Sequence, residues 1–145
     1  MAKPVFVLNG PNLNRLGTRE PDVYGATTLA DIEAMCHEAA GALGLSVTFR
    51  QSNHEGELVD WVQEAGDSAQ GLVINPGAYT HTSVALHDAI RSAGLPVIEV
   101  HISNIFAREA FRHHSYISPV ARGVICGLGP NGYPLALRAL ADLLS

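Results

Sequence analysis

At 145 residues and 47% hydrophobic content, the chain has the size and apolar supply for one domain, residues 1–145, with a single well-formed core. A net charge of -5, with no basic run or basic helix face, argues against nucleic acid as a partner and for a small ligand. No signal-peptide pattern and no apolar run near the roughly twenty residues that cross a bilayer occur, so a cytoplasmic protein without a membrane partner is expected.

The first strand is expected over Pro4–Leu8. The segment Val7 to Tyr24, VLNGPNLNRLGTREPDVY, leaves it and carries breakers at Gly10, Pro11, Gly17 and Pro21. It is too polar and too broken to be core, and long ordered loops of this kind are usually lids or binding loops. Within it Arg19 and Tyr24 can meet, and an arginine beside a phenol favours the tyrosinate, a usable base. A helix over Leu29–Leu43 follows, its apolar residues at helical spacing and Thr28 with Asp31 resembling a capping box. Cys36, within it, and Cys126 are too few and too far apart for a disulfide framework, and are read as buried free thiols.

Beyond it the pattern alternates: strands at Leu45–Gln51, Gly71–Asn75, Pro96–His101 and Gly123–Gly127, helices at Glu57–Ala65, Ser83–Ala93, Ile105–Phe111 and Leu135–Leu144. Leu72-Val73-Ile74 and Val97-Ile98 read as strands buried on both faces, which implies an α/β fold, a five-stranded parallel sheet with helices on both faces. In such sheets ligands bind beyond the carboxyl ends of the strands, at the switch in strand order. Polar residues gather at those ends: Asn9, Asn12, Arg19 and Tyr24 after the first strand, Asn53 and His54 after the second, Asn75 and His81 after the third, His101 and Ser103 after the fourth.

Absences narrow the chemistry. The single lysine, Lys3, precedes the first strand, which leaves no candidate for a Schiff base. No H-E-x-x-H or phosphate-loop motif is present, and the seven histidines are not set at helical ligand spacing, the adjacent His113 and His114 being unable to share one helix face, so no metal ligand set is assigned. Gly127-Leu128-Gly129-Pro130-Asn131-Gly132 matches G-x-G-x-x-G between a strand and a helix. Pro130 lacks a backbone donor, and the acidic ribose partner expected about twenty residues on does not occur, so the run is read as a tight turn.

The positive signal is for acid–base work on an anionic, hydroxylated small molecule. In an extended segment Glu99, His101 and Ser103 share one side, where the carboxylate would hold the imidazole's tautomer and support a general acid. Arg108 and Arg112, four apart in a helical pattern, can face one point and clamp a carboxylate or hydroxyls.

Three motifs, N-G-P-N-L-N-x-L-G-x-R-E-P-x-x-Y-G at Asn9–Gly25, N-P-G-A-Y-T-H-T-S at Asn75–Ser83 and E-V-H-I-S-N at Glu99–Asn104, closely resemble the type II 3-dehydroquinate dehydratases over essentially the whole chain. The resemblance implies a flavodoxin-like fold, anti elimination of water from 3-dehydroquinate to 3-dehydroshikimate through an enolate, no cofactor, and a homo-oligomer, a dodecamer built from trimers. It implies Tyr24 as the base, Arg19 as its activator, Asn12 as the holder of a water at the enolate oxygen, and His101 as the acid supported by Glu99. Asn75, His81, Ile102 and Ser103 through their backbone amides, and Arg112 would hold substrate, with Asp88 reaching in from a neighbouring subunit and Arg108 adding to the field at the phenol. To ionise near neutrality, a phenol with a reference pKa of about 10 needs differential stabilisation on the order of 4 kcal/mol, which a desolvated cation nearly supplies. Two other classes stay open on the residues alone: a flavin- or nucleotide-binding module, and a metal-dependent hydrolase using His81 and His101.

Overall fold

The computed structural model describes residues 1–18, 22 and 25–145. Five strands, β1 (Lys3–Asn9), β2 (Leu45–Gln51), β3 (Gly71–Asn75), β4 (Val97–His101) and β5 (Gly123–Cys126), form one parallel sheet in the order β2-β1-β3-β4-β5. Helices α1 (Leu29–Ala42), α2 (Glu55–Ser68), α3 (Val84–Ala93) and α4 (Gly132–Leu144) cover its two faces. This is the expected flavodoxin-like architecture, with boundaries within a few residues of those the periodicity indicates.

Strand alternation explains the layers. Val5, Val7, Val73, Ile98 and Val100 point to one face and pack against Ile32, Cys36 and Ala40 of α1 and Ala136, Leu137 and Leu140 of α4. Phe6, Leu8, Leu72, Ile74 and Val97 point to the other, against Leu58, Val62 and Ala65 of α2 and Leu86, Ala89 and Ile90 of α3. Each fully buried aliphatic side chain contributes about 1.5–3 kcal/mol relative to exposure, so the central strands β1, β3 and β4, covered on both sides, are mostly apolar on both faces, whereas the edge strand β2 carries Ser46, Thr48 and Arg50 on one. The capping box at α1 forms as expected: the Thr28 hydroxyl accepts from Asp31 N at 3.1 Å, and the Asp31 carboxylate accepts from Thr28 N at 3.0 Å.

Three expectations are corrected. Ile105–Phe111 is not a helix but two 3-10 turns, Ile105–Ala107 and Ala110–His113, separated by Arg108 in an extended conformation. The segment is too short to hold a helix by itself, and of the first turn only Ile105 is buried, so no apolar stripe anchors one. Cys126 is half-buried rather than buried, because β5 is an edge strand; Cys36 is buried, and burial pushes its thiol up to about 12. Helix α4 starts at Gly132, earlier than Leu135, with Pro134 in its first turn as the sequence allows, where its missing N–H is not needed.

The glycine run before α4 makes a tight turn. Gly127 and Gly129 have φ of 86° and 64°, a left-handed region that favours glycine, and Gly129–Asn131 form a 3-10 turn leading into α4.

Candidate active site

Strand order reverses between β1 and β3: the chain goes from β1 outward to β2, then returns to β3 on β1's other side. The loops leaving β1 and β3 therefore diverge and open a crevice. Register places Asn9 beside both Gln51 and Asn75, so three strands end level. The Gly10 amide donates to the Asn75 carbonyl at 2.8 Å, and a Cβ on Gly10 would lie 2.2 Å from the Pro76 carbonyl oxygen. Only glycine allows the two loops to begin this close together.

A cleft of about 210 Å³ lies over these ends, and Asn12, Asn75, His81, His101, Ile102, Ser103, Arg108 and Arg112 all line it. Asn12 has a φ of 68°, a left-handed conformation that asparagine tolerates better than most residues, and its amide donates to the Asn53 side chain at 2.9 Å. Gln51 donates to that same Asn53 oxygen and to the Gly10 carbonyl, so the end of β2 braces the start of the first loop. Arg19 and Tyr24 lie outside the described residues. Asp88 is exposed on α3 and does not line this chain's cleft.

Glu99 sits beneath His101. It alternates with Ile98 and Val100 along β4, is fully buried, and its Oε2 accepts from His101 Nε2 at 2.5 Å. A carboxylate buried this deeply requires several donors. Thr80 donates to Oε2 at 2.7 Å, Ser118 to Oε1 at 2.5 Å, and Ser115 to both oxygens at 3.1 and 3.3 Å. Burial pushes the Glu99 carboxyl up, but the bonds from and charge on His101 and the bonds from Ser118 and Thr80 outweigh it and hold the group below the usual carboxylate range. Because the carboxylate only accepts, Nε2 of His101 carries a hydrogen and Nδ1 is the nitrogen left for proton exchange.

None of these three hydroxyls stood out in the sequence. The run Pro96-Val97-Ile98-Glu99-Val100 did signal that a glutamate inside an apolar strand needs donors, but nothing local indicates that they come from the loop after β3 and from residues 115–118.

The cleft is cationic although the chain is acidic. His81 Nδ1 donates to the His114 carbonyl at 2.8 Å, and its pKa is lowered chiefly by burial, which outweighs that bond, with His101 and Arg112 adding to the decrease. The neutral ring thus offers Nε2 as an acceptor. Arg108 Nη1 donates to the Ser103 hydroxyl at 3.4 Å; Arg112 Nε donates to Glu109 at 2.9 Å, and its guanidinium lies over the Phe111 ring at 4.9 Å. Both arginines reach the cleft, as expected, but by the bend at Arg108 rather than by helical spacing. Two guanidiniums lining the cleft, with the Glu99 carboxylate buried beneath it, favour an anionic ligand with hydroxyl groups. Among the described residues no group of three His, Cys, Asp or Glu side chains is arranged to hold a metal ion.

Residues 3–141 match the family described as Dehydroquinase class II. The 3-dehydroquinate dehydratase of Chelativorans sp. (strain BNC1) is 68% identical over 145 residues, spanning 99% of this chain and 100% of the relative. That of Mesorhizobium japonicum is 69% identical over 143 residues, spanning 98% and 99%. Among solved structures, the type II dehydroquinase from Propionibacterium acnes superposes with a TM-score of 0.94 at 50% identity, covering 98% of each chain.

Proposed function

The chain belongs to the class II dehydroquinase family, and on that premise we propose how its residues divide the work of dehydration. It is a 3-dehydroquinate dehydratase, a hydro-lyase of the shikimate pathway. In the proposed anti elimination, Tyr24 as phenolate takes a proton from the carbon next to the ketone, with Arg19 holding the phenol acidic. The electron pair moves onto the carbonyl oxygen, and a water positioned by Asn12 donates to that enolate. The enolate then expels the hydroxyl, which leaves as water on taking the proton from Nδ1 of His101, and the conjugated double bond forms. His101 keeps its Nε2 hydrogen on Glu99 throughout, so the carboxylate fixes the tautomer without itself being protonated.

The observation that carries this division is the Glu99–His101 pair at the end of β4, opening onto a cleft walled by Arg108 and Arg112. The cationic wall fits the substrate carboxylate, with Ile102 and Ser103 on the same side, and Asn75 and His81 fit its hydroxyls. Residues 1–145 act as one catalytic domain in the cytoplasm, and among the described residues no helix is long and apolar enough to cross a membrane. Asp88 completes the site of a neighbouring subunit in a trimer, four of which make a dodecamer; its exposure on α3, away from its own cleft, supports this.

Ultraviolet detection of the enone carboxylate formed from 3-dehydroquinate tests the division of roles. Tyr24→Phe is expected to abolish turnover while substrate still binds, as measured by calorimetry. Near-normal turnover in that variant would remove Tyr24 from the role of base.

A further inference from the structure

Beneath the cleft, on the face opposite Glu99, a second polar group is buried in the core: Tyr133, fully buried in the first turn of α4, between Asn9 and Asn75. Its hydroxyl donates to Asn9 Oδ1 at 2.7 Å and accepts from Asn75 Nδ2 at 2.9 Å. Asn9 Nδ2 donates to the Arg50 carbonyl at 3.0 Å, and Asn75 Oδ1 accepts from Gly77 N at 3.1 Å. The chain of bonds therefore runs from the loop after β3, through β3, α4 and β1, to the end of β2.

Its two ends determine every direction within it. A carbonyl only accepts, so Asn9 must turn its NH2 toward Arg50 and its oxygen toward Tyr133; the tyrosine must then donate to Asn9 and accept from Asn75. An amide N–H only donates, so the Gly77 N–H independently demands the same orientation of Asn75. Gly77 occupies one acceptor site of Oδ1 and Tyr133 one Nδ2 hydrogen, so in this fixed orientation the donor that Asn75, which lines the cleft, retains is its second Nδ2 hydrogen.

We propose that Tyr133 is a positioning residue for the dehydration: its hydroxyl locks the Asn75 carboxamide so that the cleft receives a donor, which selects an oxygen acceptor on the substrate. Gly132, the first residue of α4, lets the helix sit close to the sheet beside Tyr133, since a Cβ there would come within 3.1 Å of a Val100 methyl group. Aligned bonds in a buried chain polarise one another, so loss of the middle member loosens both asparagines.

The assignment rests on Asn75 being a substrate contact, and a double-mutant cycle separates the two. Asn75→Ala alone is expected to raise KM about tenfold or more, since a buried polar contact to a substrate hydroxyl is lost. Tyr133→Phe keeps the ring and is expected to raise KM about tenfold with kcat changed less than about threefold. In the double variant, Tyr133→Phe should add little to KM over Asn75→Ala, while any loss in Tm persists. Asn9→Ala, which leaves the tyrosine in place but removes its acceptor, should raise KM in the same direction and provides a second route if Tyr133→Phe does not fold. If Asn75→Ala raises KM and Tyr133→Phe then adds its full effect on top, the relay is overturned while the contact at Asn75 stands. An unchanged KM in Asn75→Ala overturns the contact and the relay together.

Discussion

Replacing Glu99 with glutamine keeps the size of the side chain and removes only its charge, which isolates what the buried carboxylate does for His101. Glu99 accepts from His101 at 2.5 Å, Thr80 at 2.7 Å, Ser118 at 2.5 Å and Ser115 at 3.1 Å. Glutamine has one oxygen and one NH2. The arrangement that conserves most bonds leaves the oxygen toward His101 and Thr80 and turns the NH2 toward Ser118, whose hydroxyl reverses to accept. The His101 bond survives but loses its charge assistance, falling from about 1.5–3 to about 0.5–1.5 kcal/mol. That loss of about 1–1.5 kcal/mol is close to the roughly 1.4 kcal/mol that makes a factor of ten, so the protonated ring that must supply the leaving hydroxyl's proton is disfavoured by roughly five- to twelvefold, and more as the direct attraction of the carboxylate disappears. We expect kcat to fall by roughly ten- to a hundredfold with KM changed little, in the assay that follows enone formation. A variant retaining more than half of the wild-type kcat would refute the support role of Glu99. Stability supplies a second readout. Glu99 stays ionised in the folded protein at pH values where the unfolded chain takes up a proton, so its contribution is whole above the unfolded carboxyl pKa and is lost as pH falls through the folded one. The difference in denaturant midpoint between wild type and Glu99→Gln should accordingly change between neutral pH and about pH 4, moving against the wild type in acid.

Two further substitutions address the geometry of the strand ends and the assembly. Gly10→Ala forces a Cβ to within 2.2 Å of the Pro76 carbonyl and must part the loops after β1 and β3. Overpacking and the weakened bond to Asn75 should cost about 2–4 kcal/mol, seen as a fall in Tm of roughly 5–15 °C, with kcat/KM down by about a hundredfold. Wild-type values of both would show that the close approach is not needed. For Asp88, subunits carrying Asp88→Asn mixed and reassembled with subunits carrying Tyr24→Phe should regain activity above the average of the two parents, because a mixed trimer can pair an intact Tyr24 with a neighbour's intact Asp88. Activity equal to the average would exclude a role across the subunit interface.

Local chemistry in the sequence determined the elements and the site's position. Apolar runs such as Leu72-Val73-Ile74 leave no polar face, so those strands must be covered on both sides; Thr28 and Asp31 cap α1 through bonds three residues apart; and parallel strands with their polar residues at the carboxyl ends put the ligand there. The pairing of Glu99 with His101 was legible for the same reason, because a two-residue spacing in a strand puts both side chains on one side of the sheet. The tertiary structure decided whatever joins residues far apart in the chain. It brought Thr80, Ser115 and Ser118 around Glu99, and Tyr133 between Asn9 and Asn75, and it replaced a helix at Ile105–Phe111 with the bend that turns Arg108 and Arg112 toward the cleft. A serine or a tyrosine carries no periodic mark of a partner more than fifteen residues away; that partner is set by which strands lie side by side and how their loops leave them, and only the folded sheet specifies it.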